Sequence, residues 1–293
     1  MKSIFITGSS GFVGKNIIKY FNSTHEFYRL TKNEEIKINQ DIVLHFAGKA
    51  HDLKNTSNEQ EYYIVNTELT KQVFDNFLES DAKVFIILSS VKAVADAVKS
   101  ELTEEYISIP ITHYGKSKLL AEEYILSKQI PAGKRIFILR PCMIHGPGNK
   151  GNLNLLYKIV SKGLPWPLGA FENKRSFCSI DNLIYIIKEL IENDHIPSGV
   201  YNIADDEPIS TNELINLISV LLGKESHIWN VPKSLIKLLS KLGDTLSLPL
   251  NTERLQKLTE TYIVSNNKII NAINKPLPIS AKDGLIKTFN SFK

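Results

Sequence analysis

The stretch Ser3-Ile4-Phe5-Ile6-Thr7-Gly8-Ser9-Ser10-Gly11-Phe12-Val13-Gly14 decides the fold. Its first five residues are a β-rich apolar run. The glycines at 8, 11 and 14 then let the chain turn sharply. From Gly14 to Phe21 the residues Ile17, Ile18 and Phe21 share one helical face. A strand, a glycine turn and a helix in this order aim backbone N–H groups and the positive end of a helix at an anion such as a pyrophosphate. The spacing is G-x2-G-x2-G, not the commoner G-x-G-x-x-G.

Outward from this turn, β-rich runs and amphipathic segments keep alternating. Glu26–Leu30, Asp41–Phe46, Lys83–Ser89 and Arg135–Arg140 read as further strands, continuous enough for a parallel sheet buried on both faces. Tyr62–Leu78, with Val65, Leu69, Val73 and Phe77 on one face, reads as a helix, as does Tyr114–Ser127. Asp181–Glu192 is a third, followed by a return strand at Gly199–Ala204. Ser210-Thr211-Asn212-Glu213 has the form of a capping box opening a helix through Leu222. The expected fold is α/β, a Rossmann-type doubly wound parallel sheet with a smaller C-terminal lobe. Residues 1–147 with 178–206 form the dinucleotide domain in this reading, and 148–177 with 207–293 form the substrate lobe.

Composition narrows the class. The net charge of +4 is too small to argue for nucleic acid. Cys142 and Cys178 lack metal or redox spacing, which fits a reduced, cytoplasmic setting. No run of apolar residues is long enough for a membrane span. Pro232–Leu246 alternates Lys233, Lys237 and Lys241 with Leu235, Ile236, Leu239 and Leu242. Such a basic amphipathic helix can lie on a membrane, but the reading adopted is that its apolar face packs on its own domain.

Thr7–Gly14 (TGSSGFVG) resembles the T-G-x-x-G-F-x-G of the NAD-dependent epimerase/dehydratase family, the extended short-chain dehydrogenases. His45-Phe46-Ala47-Gly48 resembles its H-x-A-[AG] turn, and Val65–Thr70 its V-N-x-x-x-T helix. The likeness continues through Tyr114-Gly115-Lys116-Ser117-Lys118, Arg140-Pro141 and Arg175–Leu183, over nearly the whole chain. It implies NADP or NAD as cofactor, a UDP-sugar as substrate, and a homodimer as a common assembly. Gly8, Ser10, Gly11, Phe12, Val13 and Gly14 would then cradle the pyrophosphate, with Phe46, Ala47 and Gly48 lining the cofactor.

Tyr114 and Lys118, four apart, share a helical face. Oxidising a sugar hydroxyl needs a group that takes its proton, and a lysine ammonium beside a tyrosine favours the phenolate. Both residues are also expected at the cofactor. Ser90, at the end of its strand, matches the family's small hydroxyl, with Ser89 as the alternative. In the family's 4,6-dehydratases the corresponding Thr is followed by Asp-Glu. Val91 and Lys92 stand there instead, so dehydration is not expected. The Ser-Ser-Val-Lys run resembles a branch of UDP-sugar 4-epimerases and 4-keto reductases.

By the same resemblance, Arg175 binds the substrate diphosphate, with Arg254 a second candidate. Asn152 and Leu153 touch the phosphates, and Trp166 and Leu168 lie at the nucleobase pocket. Phe27-Tyr28-Arg29-Leu30-Thr31-Lys32, where the second strand ends, contains no acid, while Arg29 and Lys32 would suit a 2′-phosphate, which favours NADP. The short interval before Asp41 leaves room only for a strand remnant at Glu35–Ile38. Reduction of a 4-keto UDP-sugar is the reading these residues favour. A UDP-sugar 4-epimerase is the alternative, and a non-catalytic NADP sensor is the rival from another class.

Overall fold

The computed structural model describes residues 1–31, 34–49, 58–149, 151–246 and 251–293. Strands β1 (Lys2–Thr7), β2 (His25–Arg29), β3 (Ile42–His45), β4 (Val84–Leu88) and β5 (Arg135–Pro141) lie in one sheet. Strands β6 (Met143–His145) and β7 (Phe177–Ser179) pair with each other, and β8 (Gly199–Ile203) returns to the main sheet. All pairings in the main sheet are parallel, in the order β2-β1-β3-β4-β5-β8. The sheet is the Rossmann-type α/β arrangement expected from the sequence.

The first half of the chain carries helices α1 (Phe12–Phe21), α2 (Glu59–Tyr62), α3 (Leu69–Glu79) and α4 (His113–Leu126). The second half carries α5 (Asn152–Ser161), α6 (Ile180–Glu192), α7 (Thr211–Leu221), α8 (Lys233–Leu246), α9 (Thr252–Thr259), α10 (Asn267–Ile273) and α11 (Ala281–Asn290). Strand side chains alternate between two cores, as the period of two requires. Ile4, Ile6, Leu44, Ile86 and Leu139 pack with α1, α6 and α10, whereas Phe5, Val43, Phe85, Ile87 and Ile138 pack with α3 and α4. Burial on both faces is why these strands read as unbroken apolar runs. A further core joins Leu156, Leu214, Ile218, Leu255, Leu285 and Phe289 from α5, α7, α9 and α11. The capping box forms as read: Ser210 Oγ accepts from Glu213 N at 3.1 Å, and Glu213 Oε2 accepts from Ser210 N at 2.8 Å.

Two expectations are corrected. Residues 34–41 contain no strand, so β2 is the edge of the sheet. Ile38 is buried, and Asp41 Oδ2 accepts from Ser3 N at 2.7 Å to bring the chain back into β3. Helix α8 packs only part of its apolar face on its own domain: Ile236 is buried in the second core, while Leu235, Leu239 and Leu242 stay exposed. Only Ile236, Ser240 and Gly243 turn inward. No helix among the described residues is long and apolar enough to cross a membrane.

Candidate active site

The site assembles where β1, β3 and β4 end. Gly8 has φ +69°, and a Cβ there would come within 2.5 Å of the Phe46 and Ala47 backbone, so the turn and the His45-Phe46-Ala47-Gly48 segment meet backbone to backbone. Gly11 caps α1 without a side chain, leaving the first N–H groups of the helix to face whatever fills the turn. Phe12 and Val13 pack against the core beneath it, and Ser10 is exposed. This cradle fits the pyrophosphate of a dinucleotide.

Beneath the cradle lies a buried chain of hydrogen bonds that the sequence motifs contain but did not explain. His45 Nδ1 meets Thr7 Oγ1 at 2.7 Å, and Nε2 meets Thr70 Oγ1 at 2.8 Å. Thr70 gives its proton to Asn66 O at 2.8 Å, so it accepts from His45, and Nε2 carries the ring proton. Nδ1 then accepts from Thr7, whose oxygen also receives Ala47 N–H at 3.0 Å. Burial, helped by the Lys118 charge, lowers His45 from 6.5 to about 3, so the ring stays neutral. Asn66 sits in the π-helical turn Tyr63–Glu68 and ties Lys49 N (2.8 Å) to Ser117 Oγ (3.0 Å), linking the β3 exit to α4.

Tyr114 lies in the first turn of α4, and its phenol is hydrogen-bonded to the Ser90 side chain. Ser89 points away, donating to the Glu122 carboxylate, so of the two serines Ser90 is the one at the tyrosine. Lys118 Nζ donates to Leu88 O at 2.8 Å and lies over Gly48. Burial lowers Lys118 from 10.5 to about 8, against the pull of Glu122. Burial raises the Tyr114 phenol above its ordinary range, and the Ser90 bond offsets part of that. The expected lowering of this phenol by Lys118 is therefore not found here: desolvation dominates, and Ser90 is the group that opposes it.

Two supports were missed in the sequence. Asp96 accepts from Ile111 N (2.7 Å), Thr112 N (3.1 Å) and Thr112 Oγ1 (3.1 Å), bracing the N-cap of α4 from the loop that follows Ser90. Glu122, one turn beyond Lys118, is buried against Arg140, with Nε–Oε2 at 3.0 Å and Nη2–Oε2 at 2.5 Å. An acid at a core-facing helical position, four residues after Lys118, was the available signal.

The substrate candidates lie farther along the chain. Arg175 Nη1 donates to Lys257 O at 2.7 Å and Nη2 to Glu260 Oε1 at 2.8 Å, at the end of α9. Arg254 is one turn earlier on that helix and exposed. Asn152 opens α5 at the surface, whereas Leu153, Trp166 and Leu168 are buried in the second core. The Trp166 indole N–H has no hydrogen-bond partner among the described residues.

A cleft of about 770 Å³ extends from Thr7 and Gly8 along the edge of the sheet, lined by Leu30, Thr31, Glu34 and Glu35. Arg29 is exposed and does not line it, and Lys32 lies outside the described residues. The acid-free reading of this end is corrected. Glu34 folds back so that its Oε2 accepts from Thr31 N at 3.0 Å and Thr31 Oγ1 at 2.7 Å, with the Tyr28 hydroxyl on the other oxygen. These bonds hold the carboxyl below its ordinary range, so the cleft carries a negative charge.

A Rossmann sheet with this glycine turn and a Ser-Tyr-Lys grouping defines a class of nucleotide-dependent oxidoreductases. Residues 4–204 match the model of the NAD dependent epimerase/dehydratase family, and the chain belongs to that family. It is 28% identical to the UDP-glucose 4-epimerase of Vibrio cholerae, over 99% of this chain and 95% of that protein. It is also 28% identical to the N-acetyl-alpha-D-glucosaminyl-diphospho-ditrans,octacis-undecaprenol 4-epimerase of Escherichia coli O157:H7, over 84% and 80% respectively. The fold matches UDP-glucuronic acid 4-epimerase from Bacillus cereus in complex with NAD, with TM-score 0.74 and 19% identity over 99% of this chain and 98% of that one.

Proposed function

We propose that this chain is an NAD-dependent 4-epimerase of a diphosphate-linked sugar, a UDP-hexose or UDP-N-acetylhexosamine. The observation that carries it is the Ser90–Tyr114 hydrogen bond beside the glycine cradle, with Lys118 one turn along α4. When bound, the dinucleotide supplies the acceptor and donor of hydride, and its oxidised ring brings a positive charge. Ser90 orients the C4 hydroxyl. Tyr114 takes its proton during oxidation and returns one during reduction from the other face. Lys118, one turn from Tyr114, would supply positive charge near the phenolate and help hold the cofactor's ribose. Burial leaves Tyr114 protonated in the ligand-free state, so the proton-accepting form is drawn out when positive charge arrives.

Glu34 tips this reading from reduction toward epimerisation. An acid-free cleft with Arg29 and Lys32 beside it would favour NADP(H), and so a reductase drawing on free NADPH, but Arg29 does not line the cleft and Glu34 does. The charged Glu34 suits a ribose 2′-hydroxyl and repels a 2′-phosphate. Both curated relatives named above are 4-epimerases of diphosphate-linked sugars, which agrees. Arg175 would hold the diphosphate by exchanging its Glu260 partner for substrate oxygens.

The test supplies purified protein with UDP-galactose or UDP-N-acetylgalactosamine without added cofactor, and in parallel UDP-4-keto-6-deoxy-N-acetylglucosamine with NADPH. Interconversion in the first tube is expected. NADPH consumption in the second, with no reaction in the first, would make the protein a reductase.

A further inference from the structure

Helix α8 presents three faces. Ile236, Ser240 and Gly243 form the narrow one turned into the protein. At 3.6 residues per turn, Leu235, Leu238, Leu239, Leu242 and Leu246 fall together on a second face. They are 44 to 65% exposed. Lys233, Lys237 and Lys241 form the third, all exposed, and none pairs with a carboxylate among the described residues. The one acid of the helix, Asp244, is engaged by Thr252 N at 2.9 Å and Thr252 Oγ1 at 2.5 Å. Trp229, 57% exposed, precedes the helix.

We propose that α8 is a seat on an anionic lipid surface, with its leucine face sunk into the headgroup boundary and its lysine face at the level of the lipid phosphates. A helix with leucines on one side and lysines on the other lies in the plane of such an interface, buried about 5–10 Å on its apolar side. Charge decides the occupant. A second copy meeting the leucines would cover apolar surface but bring no anions to the three lysines. An anionic bilayer satisfies both faces, and an exposed tryptophan is at home at its boundary. Helix α9 lies between this helix and Arg175: its Thr252 holds Asp244 of α8 and its Lys257 carbonyl accepts from Arg175. The proposal stands apart from the choice between epimerase and reductase.

The experiment is sedimentation of the full-length protein with phosphatidylcholine vesicles, with and without phosphatidylglycerol, at low and high salt. Binding is expected on the anionic vesicles, weakened by salt, with a blue shift of tryptophan emission as Trp229 enters the interface. Each lysine near an anionic surface contributes on the order of fivefold in affinity, so K233Q/K237Q/K241Q should lose about a hundredfold there. L238E/L242E should also release the protein, with thermal midpoint and activity kept, since both leucines are exposed. Lack of binding to anionic vesicles, or binding indifferent to the leucine changes, would overturn the proposal. So would a leucine-dependent dimer in lipid-free solution whose formation abolishes vesicle binding, which would make a second copy the occupant.

Discussion

Ser90 hydrogen-bonds the Tyr114 phenol, while its neighbour Ser89 turns the other way into the buried Glu122 carboxylate. Two adjacent hydroxyls therefore do separate work. Ser90→Ala should lower kcat by about a hundredfold while leaving the thermal midpoint nearly unchanged. Ser89→Ala removes one partner of a buried carboxylate and should cost about 1–3 kcal/mol of stability with kcat close to the parent. Steady-state rates and urea unfolding on both variants check the division, and a reversed pattern would exchange the roles.

Tyr114→Phe should keep the fold and dinucleotide affinity but lose at least about a hundredfold in turnover, the scale of a positioned proton-transfer group. Near-parental turnover on a substrate established for the parent would remove Tyr114 from the chemistry.

Glu122 and Arg140 should behave as a unit. Glu122→Leu leaves a buried guanidinium without its carboxylate and should cost about 3–5 kcal/mol. Adding Arg140→Met should recover most of that loss, because both charges are then gone. A double variant no more stable than Glu122→Leu alone would mean that the pair is not the cause.

The pH dependence follows from two displaced groups. Between pH 6.5 and about 3 the unfolded chain protonates His45 and the folded one does not, so this group makes stability fall as pH drops through that window. Between about 8 and 10.5 the unfolded chain keeps the Lys118 proton while the folded chain has lost it, so stability rises with pH there. Lys118→Met should be relatively more stable at pH 7 than at pH 10, when unfolding free energies are compared with the parent. A difference that does not vary with pH would contradict the displaced lysine.

Calorimetric titration should show NAD(H) binding more tightly than NADP(H), with Glu34→Gln narrowing the gap. A parent that prefers NADP(H), with the preference unchanged in the variant, would assign the selectivity to other groups.

The elements were legible where local chemistry sufficed. Ile4 to Thr7 and Val84 to Leu88 are apolar because both faces of the strand are covered, and Ser210 and Glu213 cap within four residues. What escaped was pairing across distance. Glu34 returns to Thr31 and Tyr28 across a turn that no motif marks, where the described residues hold no strand outside β2. Asp96 and Glu122 find their partners in elements far along the chain, which periodicity does not encode. The apolar repeat of α8 located a face but not what lies opposite, and the helix packs only part of that face on the protein.

The fit between Lys92 and Gly115 bears on how this chain can evolve. A Cβ at Gly115 would collide with the Lys92 carbonyl, so α4 and the loop after Ser90 are set against each other with no slack. Val91 is buried and its carbonyl receives the Tyr262 hydroxyl, while the Lys92 ammonium donates to Asp96 O at 2.7 Å and caps the Tyr262 ring at 4.2 Å. By the family resemblance, the acid pair of a dehydratase would fall at these two positions. A carboxylate at 91 would enter an apolar core, and one at 92 would give up a bond and a cation–π contact at once. A carboxylate at either position would therefore have to loosen this loop before it could be accommodated, so the packing itself holds valine and lysine in place.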